Sequence, residues 1–480
     1  MKAFVNLWKL WHILSNTFKM NSIMSITWRT FRLTLGAAGL LATVARADWV
    51  TDWNASALSA MRTTSDAPFI TRDLAMLHVA MYNASETLQN NYTPYSFGSY
   101  TASGAMSGPA GASIEAAVAT AANTVMQSLY GGSSASFTSL YNSQLSSIAD
   151  SQSKTDGIAW GQSIANDILA WRGSDGAATA GGVGYVPVGT VGYWNQTSVS
   201  PAQYAGWGSV GTFAIGSTAA YQSSLPGGTL AGYLTTGQYA ADFNEVKELG
   251  SASSVTRTPD QLLQAYFWSA PSGSVQIPGM WNQVAQSVAS SSGLTISDST
   301  RLFAALNVAM ADAGITALAT AYDVQFWRPE TGIANGGDGF GDTDGNPSTV
   351  GDGAWSPLIS SPNFPEYVSL TGAFSGAAAA VLNQYAGSSY AFTLAGDIDG
   401  DGNGDLIRNF SGFAQASQDA TLSGVYAGTQ FGSSAIDGAS MGTQIGEDVT
   451  QNFFQNVPEP SGVVLAMLGL GWLGARRRRA

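Results

Sequence analysis

The residues best spaced for chemistry are the carboxylates of Asp397-Ile398-Asp399-Gly400-Asp401-Gly402-Asn403-Gly404-Asp405. Acidic side chains at positions 1, 3, 5 and 9 with glycine at 6 follow the order of a calcium-binding loop of the helix–loop–helix type. Position 12, where such loops place a bidentate carboxylate, is Arg408. Asp397, Asp399, Asp401, Asn403 and Asp405 are therefore candidate ligands for a weak calcium site, and a solvated acidic turn is the alternative. A second acidic stretch, Asp338 to Asn346 with Asp342 and Asp344, puts its glycine out of place for the same loop. Other reactive side chains are scarce. The chain has no cysteine and two histidines, of which His78 alone lies beyond the first 47 residues. A Ser-His-Asp triad or a thiolate nucleophile is thus excluded on residue types. His78 falls on an apolar helical pattern, the usual place of a core histidine.

Charge narrows the partners. Of the 19 Lys and Arg residues, six precede Asp48 and four form the run Arg476 to Arg479, which leaves nine against 32 acids, a net −23. Such a surface repels nucleic acid and anionic lipid. Only 11% of residues are charged, and Gly, Ser, Ala and Thr fill much of the rest.

The elements that must position these residues read as helices. Apolar residues recur at three-to-four spacing over 69–90, 110–130, 137–149, 157–172, 259–269, 280–291, 298–325 and 371–386. Alternating strands are few, so the expected class is all-α, with long Gly/Ser-rich loops. The longest, 173–240, carries Trp194, Trp207 and Phe213, which need burial. It is expected to be an ordered excursion over the helical core.

Both ends read as addresses. From Met24, Arg29 and Arg32 precede an apolar run that closes on Ala45-Arg46-Ala47, the layout of a signal peptide cut before Asp48. The start codon stays open among Met1, Met20 and Met24. At the far end Val457-Pro458-Glu459-Pro460 is followed by an apolar stretch and four arginines. This resembles the PEP-CTERM sorting signal of Gram-negative bacteria. The expected organisation is leader 1–47, helical domain 48–456 and sorting anchor 457–480. It implies signal peptidase and an exosortase as processing partners, transient membrane contact through the tail, and a secreted or cell-surface destination with an extracellular matrix as surroundings.

Five groups of residues carry a further resemblance: Pro68-Phe69-Ile70-Thr71-Arg72 with Leu77-His78-Val79-Ala80; Asp242-Phe243-Asn244-Glu245-Val246-Lys247; Met310-Ala311-Asp312-Ala313; Phe326-Trp327-Arg328-Pro329; and Phe364-Pro365-Glu366-Tyr367. In order and spacing the chain resembles the vanadium-dependent haloperoxidase and type-2 phosphatidic acid phosphatase superfamily from about residue 50 to 450. The resemblance implies a helical bundle and a site where lysine, two arginines, serine and two histidines surround vanadate or phosphate. Carried onto this chain, the arginine of the Arg-Pro motif is Arg328 and the serine is Ser369. The lysine position is Ala321, the second arginine Gly424, the acid–base histidine Thr371 and the ligand histidine Gln430. Neither Thr371 nor Gln430 is basic near neutral pH. The expectation is an oxyanion pocket reduced to Arg328, Ser369, Thr371 and Gln430, with no catalytic residue intact and no vanadate. Arg328 is equally readable as the ion-pair partner of a buried carboxylate. A rebuilt site that still works as a haloperoxidase or phosphatase is the rival reading. A calcium-stabilised binding module is a third.

Overall fold

The computed structural model describes residues 48–63, 66–96, 107–196, 200–335 and 344–457. The leader and the sorting anchor lie outside them, except for Val457. Asp338 and Asp342 also lie outside the described residues.

The core is built on α11 (Ile296–Val324), a 29-residue helix capped by the Thr295 side chain, which accepts from Asp298 N. Its hydropathy would suit a membrane span, but 94% of that window is buried within the protein. It is the central helix of a bundle, apolar on every side because protein surrounds it. Against it pack α2 (Ala67–Gln89), α13 (Leu370–Ala386) and α15 (Gly432–Asn452). A second layer holds α1 (Trp49–Met61), α3 (Ile114–Leu129), α4 (Ser134–Ser146) and α5 (Gln152–Arg172). The all-helical expectation holds, with one exception: β1 (Phe392–Gly396) and β2 (Leu406–Phe410) pair antiparallel and carry the 397–405 loop.

The described parts of 173–240, residues 173–196 and 200–240, pack over the helical core. They contain α6 (Ala177–Ala180) and α7 (Leu230–Leu234), with Trp194 and Trp207 each 1% exposed. Two charged side chains tie this stretch down. The Asp312 carboxylate on α11 accepts from Phe213 N at 2.6 Å, Ala214 N at 2.7 Å and Ile215 N at 3.0 Å. Arg172 donates to Gly211 O and Thr212 O and lies 3.8 Å over the Phe213 ring. Arg72, of the first resemblance motif, donates to Asp175 and to Arg172 O. Two of the motifs thus anchor a loop.

The helices α8 (Gly237–Leu249), α9 (Pro259–Phe267), α10 (Gln276–Ser292), α12 (Pro329–Asn335) and α14 (Phe413–Ala427) complete the order. The apolar periodicity misses α1, α8, α14 and α15, and the short α6, α7 and α12. In α15 the cause is composition: Gly432, Gly438, Gly442 and Gly446 lower helix propensity. Packing explains their presence. A Cβ on Gly442 would lie 2.0 Å from Ala373 O, and one on Gly376 would lie 2.1 Å from Ala439 O. The two backbones meet where no side chain fits between them.

Candidate active site

Three chain turns converge on one cavity. The first follows α11, whose C-cap Gln325 is left-handed (φ 56°), and delivers Arg328 just before Pro329 opens α12. The second is the N-terminus of α13, where Ser369 is the cap and accepts from Gly372 N at 3.0 Å. The third is the turn from α14 to α15, made at Gly428 (φ 80°) and ending in Thr429 and Gln430. Arg328, Thr371, Gly424 and Gln430 line the resulting cavity of about 260 Å³. Ser369 reaches it through Gln430, whose Oε1 accepts from Ser369 Oγ at 2.8 Å. Residues some 40 to 100 apart in sequence are thus joined. Ala321 is buried on α11 and is not part of the lining.

Gly424 and Gln430 fit as a pair. A Cβ on Gly424 would stand 2.3 Å from Gln430 Oε1, so the glutamine side chain fills the space that any side chain at 424 would need. Gln430 itself is 7% exposed.

Arg328 is 1% exposed, and its guanidinium is held by backbone carbonyls. Nε donates to Phe364 O at 2.8 Å, Nη1 to Thr429 O at 2.9 Å and Nη2 to Pro365 O at 3.4 Å. Burial lowers its pKa to about 10, partly offset by the nearby Glu366 carboxyl. Burial likewise pushes Glu366 up to about 8, opposed first by Arg328 and then by the Phe431 N–H that donates to its Oε1. Its Oε2 has no hydrogen-bond partner among the described residues. Both readings of Arg328 therefore have support in one place, since it faces the cavity and neighbours a buried carboxyl.

His78 takes no part. It is fully buried, bonded through Nε2 to Asn54 Oδ1 at 2.9 Å and stacked on Phe303. Burial lowers its pKa to about 3, so it is a neutral core side chain.

Tyr204, Trp268, Gln203 and Gln276 also line the cavity and were not singled out from the sequence. Gln203 and Tyr204 come from the Gly/Ser-rich excursion, where no periodicity marks them. Among the described residues of the lining, Arg328 alone is charged.

The acidic hairpin loop lies elsewhere. Asp397, Asp399 and Asp405 bring oxygens within 4.8 Å of one another. Asp401 stands apart, its carboxylate accepting from the backbone and side chain of Asn403. The helix–loop–helix frame does not apply, because a strand follows the loop. Arg408, the twelfth position, sits in β2 opposite Leu394 and pairs with Asp260 and Asp419. In the second stretch Asp344 is buried and closed by Thr349 Oγ1, while Asn346 Nδ2 donates to Leu234 O and Thr236 O.

With this geometry in place, comparison identifies the scaffold. Residues 301–458 match the family described as the VCPO second helical-bundle domain. Vanadium chloroperoxidase of Curvularia inaequalis is 31% identical over 150 residues, covering 28% of this chain and 24% of the relative. The chain thus spans about a quarter of that curated relative's length. A bacterial vanadium-dependent iodoperoxidase superposes with a TM-score of 0.70 at 20% identity, over 86% of this chain and 97% of that one. A bacterial vanadium-dependent chloroperoxidase gives 0.62 at 12% identity, over 85% and 96%. The chain carries the fold of these vanadium-dependent haloperoxidases, and its residues 301–458 match the second helical-bundle domain.

Proposed function

We propose that this protein is an exported, non-enzymatic member of the haloperoxidase fold whose inherited pocket no longer takes an oxyanion. One observation carries the reading: the cavity lining contains no imidazole, and the ligand-histidine position is an amide bonded to Ser369. Vanadium is named in the relatives, and as the oxyanion vanadate it does not fit these residues. A dense anion needs several cations and donors arranged around it. Here there is one guanidinium, with three of its five N–H donors already directed at carbonyls. Glutamine supplies neither a base nor a nucleophile. No step of peroxide or phosphoester chemistry is therefore derived for this chain.

The test combines binding and turnover. Intact protein titrated with orthovanadate and followed by vanadium NMR should leave the free signal unbroadened. Bromide with peroxide, or a generic phosphate ester, should react no faster than without protein. Turnover that disappears in Arg328→Ala would overturn the reading in favour of a rebuilt catalytic site. Restoring Ala321→Lys, Thr371→His, Gly424→Arg and Gln430→His together should bring vanadate binding back. The last two must change together, because a side chain at 424 collides with Gln430.

Export and sorting complete this proposal and rest on the sequence of the two ends. Calcium at the hairpin loop is its accessory element, supported by the close oxygens of Asp397, Asp399 and Asp405. Divalent binding there relieves repulsion among exposed carboxylates on a strongly acidic surface.

A further inference from the structure

A pocket emptied of its anion-binding groups has not become an apolar void. The lining of the 260 Å³ cavity keeps hydrogen-bonding groups that carry no charge: the amides of Gln203, Gln276 and Gln430 and the hydroxyl of Thr371, beside the rings of Tyr204 and Trp268. Gln430 is the informative one. It is more than nine-tenths buried, its Oε1 is engaged by Ser369 Oγ, and its Nε2 has no hydrogen-bond partner among the described residues. Ser369 Oγ in turn accepts from Gly372 N, so the Oε1 end of an amide that lines the cavity is fixed. The Nε2 donor is not among the fully buried unpartnered atoms, so an acceptor from outside would replace water there. A site that holds it in place is ready for an acceptor from outside.

The acceptor should be neutral. Arg328 is the only charge among the described residues of the lining, and three of its five N–H donors are engaged by carbonyls. An anion entering here would lose its hydration and find no second cation. The volume lies just below the usual range for drug-sized ligands, roughly 300–1,000 Å³. Amides and hydroxyls beside aromatic rings suit a molecule with hydroxyl edges and a carbon face. The mouth is open, with Gln203, Ser360 and Pro362 exposed at the rim.

We infer that this cavity binds a single uncharged sugar ring, with the Gln430 amide N–H and the Thr371 hydroxyl as its hydrogen-bonding anchors. The inference rests on the reading that the pocket has given up oxyanions. A lone ring held by a few neutral hydrogen bonds should bind weakly, with a Kd on the order of 1 mM.

Saturation-transfer NMR on the intact protein tests this, using glucose, galactose and mannose, their methyl glycosides, glucuronate and orthovanadate as separate probes. At least one neutral hexose should receive saturation. Its Kd should rise about tenfold or more in Gln430→Leu and severalfold in Thr371→Val. If the methyl glycoside binds as well as the free sugar, the ligand is the end of a glycan; if only the reducing sugar binds, it is a free monosaccharide. No saturation on any neutral hexose overturns the inference and leaves the inactive-pocket reading intact. Preference for glucuronate also overturns it, since recognition would then be through charge. Tight orthovanadate binding instead overturns the underlying reading. Thr371→Val, at a half-buried position, keeps the test decisive if Gln430→Leu fails to fold. Unchanged hexose affinity in the folded variants would place the sugar elsewhere and refute the site.

Discussion

Gly442→Ala is the sharpest test of how the pocket is positioned. On intrinsic propensity alone the change should stabilise α15 by about 1 kcal/mol, because alanine is the better helix former. The structure predicts the opposite sign. The new Cβ would stand 2.0 Å from Ala373 O, 2.8 Å from Ala373 C and 2.9 Å from Ala377 N, all rigid backbone of α13. An ordinary contact lies well over 3 Å, so the helices must part by about 1 Å. A gap of that size forfeits a quarter to a half of each dispersion contact along the seam. Overpacking typically costs 1–3 kcal/mol, and this clash lies at the severe end. We expect a net loss of about 2–3 kcal/mol, or a melting temperature lower by roughly 2–4 °C for a chain this long. The α13–α15 glycines form a graded series, with nearest approaches of 2.0 Å at Gly442, 2.1 Å at Gly376, 2.4 Å at Gly438, 2.6 Å at Gly446 and 2.7 Å at Gly372. Alanine at each should destabilise in that order, measured by urea titration of secondary structure. Gly237→Ala at the start of α8 is the control, since no heavy atom lies within 4 Å of its new Cβ. A Gly442→Ala protein as stable as the Gly237→Ala protein would refute the close-packing argument.

Other outcomes follow from single groups. Glu366 is raised from 4.5 to about 8 by burial, so its stability contribution is full below pH 4.5 and is lost as pH rises toward 8, at about 1.4 kcal/mol per unit. Glu366→Gln should flatten that slope in melts run from pH 5 to 8; an unchanged slope would assign the effect elsewhere. Asp312→Asn leaves one acceptor for three backbone donors and should cost about 2–3 kcal/mol, read as faster proteolysis within 207–216. Calcium at a few times an expected Kd of about 0.1–1 mM should raise the melting temperature, and Asp397→Ala with Asp399→Ala should abolish the rise. An unchanged melt would leave the loop a solvated turn. Secreted protein should begin at Asp48 and lack Arg476 to Arg479 by intact mass; retention of those arginines would sink the sorting reading.

The sequence made different parts of this molecule legible for different physical reasons. The central helices stood out because burial demands apolar residues, and a helix repeats them every three to four positions. Arg328, Ser369 and Thr371 could be placed without periodicity, since they sit within or just after the motifs Phe326–Pro329 and Phe364–Tyr367, whereas Gln430 was placed only by spacing from Ser423. α15 was not legible. Its stabilisation comes from glycine backbone pressed on glycine backbone, and in composition such a helix looks like a loop. The calcium frame failed at Arg408 for a related reason: spacing was matched to a loop flanked by helices, but a hairpin turns the twelfth residue into a strand position facing Asp260 and Asp419.

These two failures bear on the pocket itself. The seam between α13 and α15 fixes the N-terminus of α13, where Ser369 sits, against the residues that follow Gln430. Gly438 contributes directly, because its Cβ would meet Ser369 O at 2.4 Å. The Ser369–Gln430 hydrogen bond is therefore held by helix packing and not by loop conformation alone. The inferred sugar site requires that rigidity, since a Gln430 amide free to rotate would offer no fixed donor. Gly438→Ala should therefore weaken hexose binding as well as stability, and unchanged binding in a destabilised variant would separate the pocket from the seam.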